Sequence, residues 1–346
     1  MAATLLGAVA LAQPAAAQDF TTATFGGTTI WAGGGVQFLS LPDIKFVGKG
    51  SSPTSARRQR NSESDWLDFG GATGGGIETA LGYWGGYRVS GVVKGFWANV
   101  EDNDRTACKN QTCFVFDPSG SGTFAFGPPT LVTHTDRNAD YWGAQTELKF
   151  ATGAPQEVKP QIYRNDYFIA GFDVRGIDQT NKLRGKFGNV DVYNYKETLD
   201  TTYVGGYVGF GGEYSFGFIP GIKNVGGFYD RLGLRTFINA TAGLYNADTD
   251  YRGVTRFPFA AFNSSISKSN DELAFIGTVS LETRKQIGPR TSLSLWTDYE
   301  YISSVPQMQY ANTQHATRID EDSVFATRTM LRLNIGLGSQ GLYPAQ

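Results

Sequence analysis

Apolar and polar residues alternate with a period of two along most of this chain, over stretches longer than an ordinary globular strand. Between 232 and 245, Leu232, Leu234, Ile238, Ala240, Ala242 and Leu244 share one face with Thr236, while Arg235, Phe237, Asn239, Thr241 and Tyr245 share the other. The same rhythm runs through Leu293–Tyr301, Phe325–Leu337, Ala144–Phe150 and Leu273–Arg284. The pattern predicts ten strands, near 28–40, 71–84, 86–100, 138–151, 164–177, 201–218, 231–247, 271–286, 290–303 and 322–338.

The predicted connections are sorted by length. Trp84-Gly85-Gly86, Thr152-Gly153-Ala154-Pro155, Pro220-Gly221 and Ile287-Gly288-Pro289 read as short turns. The other five (41–70, 101–137, 178–200, 248–270 and 304–321) span roughly 18 to 37 residues. A strict alternation of short and long connections is the pattern of a transmembrane barrel, with periplasmic turns on one rim and extracellular loops on the other. In lipid every backbone amide must be paired internally, so a closed barrel is the β solution. The fold expected is therefore all-β: a closed antiparallel transmembrane β-barrel of ten strands, with eight or twelve as the alternatives. Outward aromatics near the short turns (Tyr83, Tyr87, Phe150, Phe216, Phe218) fit an interfacial girdle.

Composition agrees. Gly (44) and Pro (13) make up about one residue in six of the 346, aromatics reach 14%, and charged residues only 18%, against roughly a quarter in ordinary globular chains. That content is too apolar for a disordered chain. A net charge of −2 argues against a polybasic nucleic-acid binder. Residues 1–17 read as a secretory signal with an Ala15-Ala16-Ala17 cleavage signature; no Lys or Arg precedes its apolar stretch, as in a signal truncated at its start. Residues 18–346 then form a single barrel domain in the bacterial outer membrane. After export, Cys108 and Cys113, separated by four residues, are expected to close a small disulfide loop, with free thiols or a metal pair as alternatives.

The signal, the ten alternating strands and the sorted loops resemble Gram-negative outer-membrane β-barrels over nearly the whole mature chain. More narrowly, DRLGLRTFINATAGLY (230–245), TSLSLWTDYEYI (291–302) and SVFATRTMLRLNIGL (323–337) are similar to the major-outer-membrane-protein-like pore-forming family. The chain departs from many such barrels by continuing as GSQGLYPAQ past its last strand, where a terminal aromatic is common.

Facing assigns the lumen charges. Arg88, Lys94, Lys149, Arg175, Arg235, Arg284, Arg328 and Arg332 are expected inside, against Glu78, Glu147, Asp173, Glu213, Glu272, Glu282, Asp298 and Glu300. Ten strands lie near the width that side chains fill, and balanced charges can pair across it. These residues are the candidate lining or constriction of a narrow, weakly selective diffusion pore for small solutes or ions. A salt-bridged, closed barrel presenting its loops for adhesion or envelope docking is the alternative. Lipid, lipopolysaccharide, and a homo-oligomer or envelope complex are the expected partners. No cofactor, metal or nucleic acid is called for.

The glycine clusters Gly33-Gly34-Gly35, Gly74-Gly75-Gly76 and 205–212 open no helix, so close packing is favoured over phosphate binding. An omptin-like protease would need a rim constellation, for which His134 and Asp136 beside Asp102 and Asp104 are the candidates. With His so sparse, no enzymatic activity is expected. Asp102, Asp104, Asp248 and Asp250 lack EF-hand spacing. Arg57, Arg58 and Arg60 form a basic cluster in the first long loop, offset by Asp43, Glu63, Asp65 and Asp68.

Overall fold

A computed structural model describes residues 27–52, 57–58, 68–108, 112–116, 123–127, 131–151, 156–159, 162–215, 234–258, 262–310 and 317–337. The predicted signal, Phe216, Phe218, the 152–155 and Pro220-Gly221 turns, and Arg60 lie outside the described residues. The ten principal strands are β1 (Thr28–Leu39), β2 (Asp68–Trp84), β3 (Tyr87–Cys108), β4 (Leu131–Ala151) and β5 (Ile162–Phe187), followed by β6 (Val190–Ser215), β7 (Leu234–Phe257), β8 (Phe262–Gly288), β9 (Thr291–Gln309) and β10 (Arg318–Leu337). Each pairs antiparallel with its sequence neighbours, and β10 returns to β1 in register from Thr28↔Leu337 to Leu39↔Ala326. The ring is closed and has no free edge, as lipid requires.

Along each strand the residues that face out are apolar through one band. Val208 is 67% exposed, Leu273 69% and Leu331 54%, whereas their inward neighbours Tyr207, Ala274 and Arg332 are buried. A soluble protein would hide such a continuous apolar surface; here it faces acyl chains. Tyr83, Trp84 and Tyr87 stand at the rim of the short β2–β3 turn, with Trp84 against Phe150 at 6.1 Å. That turn requires positive φ at both central positions, and Gly85 (57°) and Gly86 (85°) supply it.

The strands are far longer than the alternation predicts. The stretch 178–200, expected as a long loop, is a hairpin paired from Arg164↔Tyr214 to Phe187↔Val190, turning at Gly188-Asn189 with Gly188 at φ 62°. Likewise β7 continues to Phe257 and β9 to Gln309. Strict alternation of short and long connections therefore fails. The barrel wall rises beyond the lipid band, and its outward residues there are polar, with Lys, Arg, Asp, Thr and Asn among them, a composition that reads as loop.

Two of the five connections expected to be long remain so (40–67 and 109–130), and they fold together. Val47–Lys49, Arg57–Arg58, Cys113–Phe116 and Thr123–Phe126 form a separate four-stranded sheet. Its apolar residues Phe46, Val47 and Phe114 to Phe116 pack on inward-facing Leu183, Tyr193, Tyr195, Tyr251 and Tyr310. The barrel mouth thus holds an apolar core of its own. Cys108 and Cys113 are disulfide-bonded and buried within that core.

Candidate functional site: the lumen

Inside the lipid band the lumen is filled by charge and aromatic rings. Arg175 on β5 binds Asp173 two residues away and crosses to Glu300 on β9 (Nη1–Oε2 2.6 Å). Glu300 also accepts from the Tyr141 hydroxyl (2.5 Å) and lies 3.3 Å from Arg328, which reaches Asp298 at 2.7 Å. Tyr245 and Gln145 donate to the same Asp173 oxygen that Arg175 binds (3.2 and 3.0 Å). Five strands, β4, β5, β7, β9 and β10, are tied through this one cluster. Buried charges are tolerated when paired, and each charge here has a counter-charge, although Asp173 Oδ1 and Arg328 Nε and Nη1 accept or donate no hydrogen bond among the described residues.

A second cluster joins β2, β3, β4 and β6. Lys149 bridges Glu78 (3.0 Å) and Glu147 (3.9 Å), Lys94 meets Glu147 at 3.0 Å, and the Tyr207 hydroxyl donates to Glu147 from β6. Arg235–Glu213 (2.6 Å) and Arg284–Glu282 (2.9 Å) pair closer to the turn rim, and Arg88 donates to Asn165. Arg332 is held differently: its guanidinium sits between the Trp31 ring (3.9 Å to centroid) and the Trp296 ring (3.1 Å), while Arg328 covers Phe96 at 3.5 Å. Bare wall makes room for the rings. A Cβ at Gly76 would stand 2.6 Å from Trp31, so the glycine is required by the close approach.

The structure places the thirteen lining candidates, Arg88, Lys94, Glu147, Lys149, Arg175, Glu213, Arg235, Glu282, Arg284, Asp298, Glu300, Arg328 and Arg332, on the inner face, in contact with one another, with lumen aromatics or, for Arg88, with Asn165. Glu272, also expected inside, is exposed beyond the band and accepts from Ser304 (3.4 Å). The rim constellation is not assembled. Arg105 and Asp104 oppose His134 and Thr135 in the β3–β4 ladder, so His134 and Asp136 point outward while Asp102 and Asp104 point in.

The residues that sequence reasoning missed lie between the lumen and the mouth. Glu197 accepts from Tyr195 (2.5 Å), from Tyr310 (3.0 Å to both oxygens) and from Asn181 (2.8 Å), and burial pushes its carboxyl above the ordinary range. Phe46 of the mouth sheet stacks on Tyr195 at 4.6 Å and meets Tyr310 edge-on at 5.1 Å. Arg137 donates to Gln179 (3.1 Å), and burial lowers its pKa. Asp68, buried at the upper edge of β2, is raised to about 6 by desolvation, partly countered by Arg137. The signal available was strand parity: Tyr193, Tyr195 and Glu197 continue the inward face of Tyr203 and Tyr207.

No family model and no curated protein matches the chain. Among solved structures, the chain is similar to the outer membrane protease OmpT of Escherichia coli, at 9% identity and a TM-score of 0.48, covering 92% of this chain and 99% of that one. It is also similar to a FadL homologue of Pseudomonas aeruginosa, at 8% identity and a TM-score of 0.26, covering 89% and 90%. The closed ring, its apolar outer band and its polar, filled interior make the chain an outer-membrane β-barrel by fold.

Proposed function

We propose that this chain is a closed outer-membrane barrel that works through the wall and mouth it raises above the lipid, rather than by passing solutes. The observation that carries the reading is the double closure of the lumen. Arg175 and Glu300 join opposite parts of the wall within the band, and Phe46, fully buried, joins the mouth sheet to Tyr195 and Tyr310 above it. A solute would have to break buried ion pairs and then lift an apolar core. Vesicles carrying the folded protein should shrink in arabinose and fail to reswell, as protein-free vesicles do. Swelling at a porin-like rate would overturn the reading.

One observation favours a gated narrow pore as a second reading. The mouth sheet shares no strand pairing with the ring among the described residues, so it is a body that can leave without breaking a barrel ladder. Under that reading Phe46→Ala opens a path; under the closed reading the variant remains silent.

A further inference from the structure

The outer wall above the lipid band carries its charges in cross-strand rows. Arg105, His134, Arg184, Asn194 and Arg256 stand in register across β3 to β7, and Lys182 directly opposes Lys196. These side chains face outward, and the Lys and Arg among them are exposed. Directly opposed residues on one face are roughly 5 Å apart, and like charges there are destabilising. Asp136 opposes Lys182 in the neighbouring ladder, but no ion pair within 4.0 Å involves Lys182, Arg184, Lys196 or Arg256 among the described residues; Lys186 reaches Asp191 at 4.0 Å. A wall that retains such repulsion gains from an external anion.

Position and direction define that anion. Lys182 and Lys196 each lie eight residues beyond the last apolar outward residue of their strands, Val174 and Val204. Eight residues make about 26 Å along a strand at ~3.3 Å each, or roughly 19 Å of height at a tilt of ~45°. Between the two, four residues beyond Val174 and Val204, Asp140, Asp178, Asp200 and Asp250 form a row in register, and their carboxylates would repel phosphates at the lipid surface. The basic side chains also radiate sideways from the barrel, toward molecules standing in the same leaflet rather than ligands arriving from the medium. We propose that the β3–β7 wall binds the anionic saccharides of lipid-anchored glycans in the surrounding outer leaflet, through Lys182, Arg184, Lys196 and Arg256. The proposal rests on the membrane placement and not on the closure of the lumen.

The test is a titration of the folded full chain in detergent, after its insertion into vesicles has been confirmed separately. The probes are rough lipopolysaccharide with a phosphorylated core, lipid A lacking the core, and soluble inorganic polyphosphate. The variant Lys182→Gln/Arg184→Gln/Lys196→Gln should bind the core-bearing glycolipid about tenfold more weakly, since each exposed charge contributes modestly, with lipid A binding unchanged. Arg256→Gln, on a neighbouring strand, should weaken binding in the same direction and serves if the triple variant does not fold. Equal binding by folded variant and parent would overturn the proposal. So would lipid A binding the parent as tightly as the core-bearing form, or polyphosphate binding it more tightly than the glycolipid.

Discussion

Arg175 and Glu300 meet at 2.6 Å across the lumen from β5 and β9, strands that are not neighbours in the ring. The pair belongs to a cluster with an uneven charge sum. Two guanidinium groups, Arg175 and Arg328, face three carboxylates, Asp173, Asp298 and Glu300. Losing Glu300 leaves two matched pairs, Arg175–Asp173 and Arg328–Asp298. Losing Arg175 leaves Asp173 without a guanidinium. Arg175→Gln should therefore cost about 3–5 kcal/mol, the range for breaking a buried pair from one side, and Glu300→Gln distinctly less. Urea unfolding from lipid vesicles, followed by tryptophan fluorescence, measures both; equal costs would contradict the assigned pairing.

Phe46 anchors the mouth sheet. Phe46→Ala removes a fully buried ring stacked on Tyr195 and should cost about 3–5 kcal/mol at that site. The sheet then loosens while the ring strands stay paired. Limited proteolysis should cut the variant between 40 and 67 at least tenfold faster than the parent, with the barrel core still resistant.

Asp68 has a folded-state pKa of about 6, raised by burial from the ordinary carboxylate value. A carboxyl with a raised folded pKa binds its proton more tightly when folded, so stability declines as pH rises through the interval from about 4 to 6. Asp68→Asn should flatten the pH dependence of the unfolding midpoint in that interval and leave the parent more dependent on acid.

The aspartate row also titrates. Burial, with Asp178 and Asp250 opposite, raises the pKa of Asp200, and burial with Asp140 nearby raises that of Asp178. Both shifts are upward, so the row opposes folding above its folded pKa values and is relieved as pH falls. Asp200→Asn should raise the thermal midpoint at pH 7 by an amount equivalent to less than about 1 kcal/mol, with no gain at pH 3.

Much of this was legible in the sequence, and the limits have physical causes. Alternation through Leu293–Tyr301 and Phe325–Leu337 placed Asp298, Glu300, Arg328 and Arg332 inside, because facing depends only on parity. Cys108 and Cys113 lie close enough in sequence to be paired by inspection. The pairing of Arg175 with Glu300 depends on closing the ring, a relation between residues far apart in sequence that no local pattern encodes. The extension of β5 and β6 to Gly188 was hidden because Lys182, Arg184 and Lys196 have the composition of a loop, although Leu183, Tyr193 and Tyr195 keep the parity. The mouth sheet was invisible for another reason: strands as short as Val47–Lys49 carry no period to detect.

The closed lumen is tested most directly by single-channel conductance of the folded protein in a planar bilayer. A preparation shown to be inserted and folded should give no discrete steps across ±100 mV. Phe46→Ala should be equally silent, because the Arg175–Glu300 cluster still blocks the band below the mouth. Discrete steps in the parent protein that change when Arg175 becomes Gln would contradict the account and establish a conducting lumen.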